Sequence, residues 1–154
     1  MSSGLEGEAV MAAKPVVEVR APAPITLRLG GSAEARLTTA VAEGYHVQAN
    51  PASDRFLIPL RLALKAKGGV RPGRPVYPLG QPYRLEGSSS DLMTYGGSFE
   101  IVVPLEATAS ARPGEHVLRG VLRYQACDTR TCLFPASLPV AIPVRVLAPK
   151  AGAP

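Results

Sequence analysis

Leu138, Val140, Ile142, Val144 and Val146 take every second place in "LPVAIPVRV", and the same two-residue period runs through three other stretches. In "FEIVVPLEA" the apolar set is Phe99, Ile101, Val103 and Leu105, against Glu100 and Glu106. "LRGVLRY" opposes Leu118, Leu122 and Tyr124 to Arg119 and Arg123. "LRLALKAK" opposes Leu60, Leu62, Leu64 and Ala66 to Arg61, Lys65 and Lys67. Side chains alternate across an extended strand, so this period means strands with one dry and one wet face. "VVEVR" and "ITLRL" are shorter candidates. In "AEARLTTAVAEGYHVQA" the alanines would suit a helix, but Leu37, Thr39 and Val41 alternate and favour a strand.

Punctuation agrees. The 154 residues include 16 prolines and 15 glycines, which break helices and favour short strands joined by turns. Seven or more strands, spaced by "GG", "NP", "KGGVRPG" and "RPGEH", predict an all-β chain folded as an antiparallel β-sandwich. Strands do not alternate with helices, which disfavours a thioredoxin-like βαβ fold. Pro139 and Pro143 remove N–H donors from the same side of the last strand, which reads as an edge strand. Residues 68–98, including the serine-rich "EGSSSD", read as turn-rich loop.

Both cysteines lie in "LRYQACDTRTCLFP". Three readings are open: a structural clip, a working redox pair, or two ligands of a metal. Were Cys127 and Cys132 to face each other across a hairpin around "DTRT", their Cα atoms would sit about 4.5–5.5 Å apart, within disulfide reach. The same register would set inward Leu118 against outward Ala141. One extra residue between Leu133 and Ser137, with Pro135 the natural place, would restore parity, which predicts irregular backbone beside the sulfurs. A disulfide closing so short a loop stabilises by only about 2 kcal/mol, and a hairpin tip is open to a partner's thiol. A metal site would need His46, His116 or Met93 to join the thiolates, and no second close pair completes a zinc knuckle. Arg130 favours a thiolate there, while Asp128 beside Cys127 opposes it.

The net charge of +5 gathers at Arg61, Lys65, Lys67, Arg71 and Arg74. With no tryptophan and few aromatics nearby, this run reads as a solvated strand face and not as a nucleic-acid surface, though an acidic protein partner stays open. No apolar run reaches the roughly 18 residues of a membrane span. Residues 1–15, "MSSGLEGEAVMAAKP", lack the apolar stretch of a signal peptide and read as a flexible leader or expression scar. Residues 148–154 read as a linker stub, with one domain at 16–147 between them.

At "YQACDTRTCLFP" the chain resembles the amino-terminal domain of DsbD-type transmembrane thiol–disulfide reductases. The likeness extends through "GYHVQAN", "FLIPLRLAL", "VYPLGQPYRL", "YGGSFEIVVPLEA", "RPGEHVLRGVLRYQAC" and "LPVAIPVRV". This resemblance implies an immunoglobulin-like sandwich in the bacterial periplasm, attached to the membrane only through segments beyond this chain and serving processes such as cytochrome c biogenesis. It implies no cofactor and no metal beyond a redox-active disulfide. It implies electrons accepted from a thioredoxin-like domain of the same or a partner polypeptide and passed to periplasmic disulfide isomerase-type proteins. Cys132 would form mixed disulfides and Cys127 would resolve them, with Tyr124, Asp128, Arg130, Tyr45 and His46 as neighbours. The family shields its sulfurs with a cap loop, matched here by Leu92, Met93, Thr94 and Tyr95. Thr94 stands where that family carries an aromatic. The rival is an immunoglobulin-like binding or structural module with an inert clip.

Overall fold

The structure, a computed structural model, describes residues 15–149. Apart from Pro15, Ala148 and Pro149, the expected leader and linker stub lie outside the described residues.

The described residues form twelve strands and no helix. One sheet places β1 (Val17–Arg20), β3 (Ser32–Val41), β9 (Ser98–Ala107) and β6 (Val70–Pro72) side by side. A second runs β2 (Ile25–Arg28), β12 (Ala136–Leu147), β10 (Gly114–Tyr124) and β5 (Arg61–Leu64). Their inner faces share one core, with Leu37, Ile101, Val103 and Leu105 from the first sheet and Leu118, Leu122, Ile142 and Val144 from the second. This is the expected immunoglobulin-like β-sandwich. The alternation builds it directly, because along the long strands buried residues alternate with neighbours more open to solvent. Where the pattern overran the strand, burial lapses. Ala66 is exposed because β5 ends at Leu64 and the chain then enters the tight turn in which Lys67 and Val70 exchange backbone hydrogen bonds.

Two expectations need correction. β12 is not an edge strand throughout: its last four residues pair with β2, and in parallel, so the sandwich is not wholly antiparallel. Pro139 and Pro143 face Val121 and Val117 of β10. Because β2 pairs only from Val144 onward, the side of β12 away from β10 stays unladdered over the proline stretch. The edge reading therefore holds for 136–143 and fails for Val144–Leu147. Residues 68–98 are also more than loop. They supply β6, β7 (Gln81–Tyr83) and β8 (Leu92–Tyr95).

β7 and β8 belong to a third, smaller sheet at the far end of β10, in the order β11 (Ala126–Cys127), β4 (His46–Gln48), β8, β7. The basic run sits on exposed positions of β5, β6 and their turns, where Arg71 pairs with Glu106 at 3.2 Å. Its solvated reading stands.

Candidate functional site at the cystine tip

Beyond Tyr124 the chain continues as a short hairpin. Cys127 and Cys132 face each other across it and are joined, S–S 2.00 Å, with Cα atoms 3.8 Å apart, closer than the ladder spacing anticipated. Below the tip Tyr124 pairs with Ala136, so two residues on one side, Gln125 and Ala126, oppose three on the other, 133–135. The extra residue falls where parity required it, and 133–135 lie outside any strand. Leu118 accordingly meets Ile142, inward against inward.

The tip is tied by its own acid. The Asp128 carboxylate accepts from the N–H groups of Arg130 and Thr131 at 2.8 and 2.9 Å, and these bonds hold its carboxyl below the ordinary value. The Asp128 N–H donates to the Thr131 carbonyl, closing a four-residue turn. Arg130 does not act as a thiolate partner here. Its guanidinium reaches Glu86 at 3.4 Å, and both side chains are exposed.

Strand β4 supplies the floor. Cys127 pairs with His46 and Ala126 with Val47, so Val47 and Ala126 enter the core while His46, Gln48 and Cys127 share the other face. Gln48 is fully buried, and its Nε2 donates to Cys127 Sγ at 3.1 Å and approaches Cys132 Sγ at 3.8 Å. Gln48 Oε1 has no hydrogen-bond partner among the described residues, nor has Nδ1 of His46. The His46 ring stacks on Tyr83, centroids 3.8 Å apart, in space left by Gly96, where a Cβ would come within 2.8 Å of the ring. Burial pushes the imidazole below its ordinary value.

The β7–β8 hairpin reaches the tip from the other side of β4. Tyr83 donates its hydroxyl to the Asp128 carbonyl at 3.0 Å, and the Glu86 N–H donates to the Thr129 carbonyl at 2.8 Å. The expected cap residues are strand, not loop: Leu92–Tyr95 is β8. Thr94 is buried opposite Gln48 in register, and Tyr95 is buried with its hydroxyl donating to the Pro78 carbonyl at 2.7 Å. Met93 is 37% exposed and Leu92 half-buried. The segment that contacts the cysteine turn is the one just before them, Tyr83 to Glu86.

Of the other expected neighbours, Tyr45 and Tyr124 pack on the sandwich core, and burial raises the Tyr124 phenol above its ordinary value. Gln125, unremarked beyond its motif, bridges two loops: it donates to the Leu133 carbonyl at 3.1 Å and accepts from the Ile58 N–H at 2.9 Å. Gln48 was also missed. Its signal was a large polar residue two places after His46 in a strand whose other face is core.

The residues weighed for a metal are not all brought together: His46 faces Cys127 across β4 and β11, but both thiols are joined in the disulfide. His116 stands near the opposite end of β10, bonded to the Arg112 carbonyl at 2.7 Å, and among the described residues no group of three or more His, Cys, Asp or Glu is gathered to hold an ion. No helix of the described residues is long and apolar enough to cross a membrane.

Fold and site together define a cystine-bearing β-sandwich domain, with the disulfide at a hairpin tip, Cys127 fully buried and Cys132 partly open. The model of the family described as thiol:disulfide interchange protein DsbD, N-terminal, matches residues 12–141, and this chain belongs to that family. It is a thiol:disulfide interchange domain. Among solved structures it is similar to the reduced DsbD N-terminal domain of Neisseria meningitidis, at 17% identity and a TM-score of 0.44, over 70% of this chain and 74% of that one. A family 123 glycoside hydrolase from Clostridium perfringens matches at 7% identity and a TM-score of 0.31, over 91% of this chain and 24% of that one. No curated protein matches.

Proposed function

We propose that the domain works in the periplasm as a relay. It accepts electrons from a thioredoxin-like domain of the same or a partner polypeptide and hands them to disulfide isomerase-type thiol proteins. The observation that carries this reading is the unequal access to the two sulfurs: Cys127 is 0% exposed, whereas Cys132 is partly open on the turn's outer arm. An incoming thiolate must attack one sulfur in line with the bond and expel the other. Access directs attack to Cys132, leaving Cys127 as the resolving thiol. Leu133 and Phe134, 37% and 92% exposed, follow Cys132 directly and give a partner apolar area to settle on.

The test is trapping. With Cys127→Ala, a thioredoxin-like partner should stay bound through Cys132; with Cys132→Ala, far less should be captured. Equal capture by both variants would overturn the assignment of roles. Titration against glutathione addresses the inert-clip alternative: a potential below roughly −300 mV, with no exchange onto a thioredoxin-like protein, would mark the bond as structural.

A further inference from the structure

We propose that Gln48 is a positioning residue that favours the dithiol over the disulfide and makes Cys127 the better leaving group. This rests on the exchange reading above and deepens it. Gln48 is fully buried yet half used: its Nε2 donates to Cys127 Sγ at 3.1 Å, while Oε1 finds no partner among the described residues. A disulfide sulfur is a weak acceptor, so the bond to Cys127 returns little for a buried amide. Nor does packing alone call for the amide. Thr94, its register partner on β8, sends its hydroxyl toward the Gln81 carbonyl.

Reduction changes what surrounds the amide. The partner thiolate's electron pair forms the bond to Cys132 Sγ. The Cys127–Cys132 bond breaks, and its electron pair passes to Cys127 Sγ. The partner's second thiol, having lost its proton to water, then attacks the mixed disulfide and releases Cys132 as a thiolate, which takes a proton from water. The partner dithiol is oxidised by two electrons and this cystine is reduced by two. In the product the Nε2–H of Gln48 faces a thiolate, a far stronger acceptor, and a neighbouring S–H can donate to Oε1. Only in the reduced form does Nε2 meet a strong acceptor and Oε1 gain a donor. Of the ionisable groups near the sulfurs, three are engaged elsewhere: Arg130 with Glu86, Asp128 with two backbone N–H groups, and the Tyr83 hydroxyl with the Asp128 carbonyl. His46, the register partner of Cys127, stacks on Tyr83 and leaves its Nδ1 without a partner among the described residues.

The experiment equilibrates the protein with reduced and oxidised glutathione, comparing wild type with Gln48→Leu and Gln48→Glu. Removing a charge-assisted bond should shift the equilibrium toward the disulfide by about tenfold in Gln48→Leu. Gln48→Glu, which keeps the shape but sets a carboxylate against a developing thiolate, should shift it the same way. Melting temperatures of both redox forms provide the control. If the amide only packs, both forms melt lower together and the equilibrium constant stays at the wild-type value, which overturns the proposal. A shift toward the dithiol overturns it too. Should Gln48→Leu fail to fold, Gln48→Glu decides alone. Failure of the wild type to exchange with a thioredoxin-like protein would sink the relay reading and leave the glutathione comparison to decide the role of Gln48.

Discussion

The Tyr83 hydroxyl donates to the Asp128 carbonyl at 3.0 Å, tying β7 to the turn that carries the sulfurs. Tyr83→Phe keeps the ring stacked on His46 and removes only that bond. Stability should fall by about 1 kcal/mol in urea denaturation. The rate at which dithiothreitol reduces the disulfide should rise, because opening of the tip becomes easier. An unchanged reduction rate would mean that Tyr83 does not restrain the turn.

Gly120 of β10 stands opposite Leu64 in the ladder with β5. A Cβ there would overlap the Ala63 carbonyl oxygen and lie 2.8 Å from Leu64 Cα, both backbone atoms of a paired strand. Gly120→Ala should therefore destabilise by about 2–3 kcal/mol, since backbone cannot swing aside as a flexible side chain would. The denaturation midpoint of the oxidised protein measures this. A midpoint close to wild type would show that β5 can shift freely.

His46 sets an acid limit on stability. Burial lowers its folded value below the ordinary 6.5, so as pH falls the unfolded chain binds the proton first, and the folded state loses stability as pH drops through 6.5 toward the folded value. Asp128 acts in a separate, lower window. Its carboxyl is depressed from 3.8 by the N–H groups of Arg130 and Thr131, so its contribution is present above 3.8 and lost as pH falls through its folded value. His46→Phe keeps a ring against Tyr83 without titrating. Between about pH 7 and pH 5 its denaturation midpoint should fall less than that of the wild type. Parallel falls would remove His46 from the explanation.

Phe134 is exposed next to the reactive pair and supports nothing beneath it. Phe134→Ser should leave stability within about 0.5 kcal/mol of wild type. Exchange with a thioredoxin-like partner should slow several-fold, while exchange with glutathione, too small to use the surface, should not. Equal slowing with both would point to a local effect on the sulfurs and not to docking.

The long strands were legible because β3, β9, β10 and β12 each run ten residues or more, enough for a two-residue period to declare itself. Parity along two of them even located the irregular backbone at 133–135. The third sheet was not legible in the same way, since β4, β7, β8 and β11 are two to four residues long and show no period. The cap segment therefore read as loop although Leu92–Tyr95 is paired on both sides. The pairing of β2 with the end of β12 joins segments more than a hundred residues apart, which no local pattern reports. At the site, the cysteine motif and His46 were visible from residue type and spacing. Gln48 and Gln125 were not, because their roles depend on which strand lies alongside.

The single surplus residue at 133–135 leaves the hairpin tip and the long β10–β12 ladder out of step, so no continuous row of cross-strand pairs connects them. That offset divides the paired body from the cystine-bearing end. Were the bond opened and remade, Leu118 and Ile142 would keep each other as partners, because their pairing belongs to the ladder below the surplus residue and not to the tip above it.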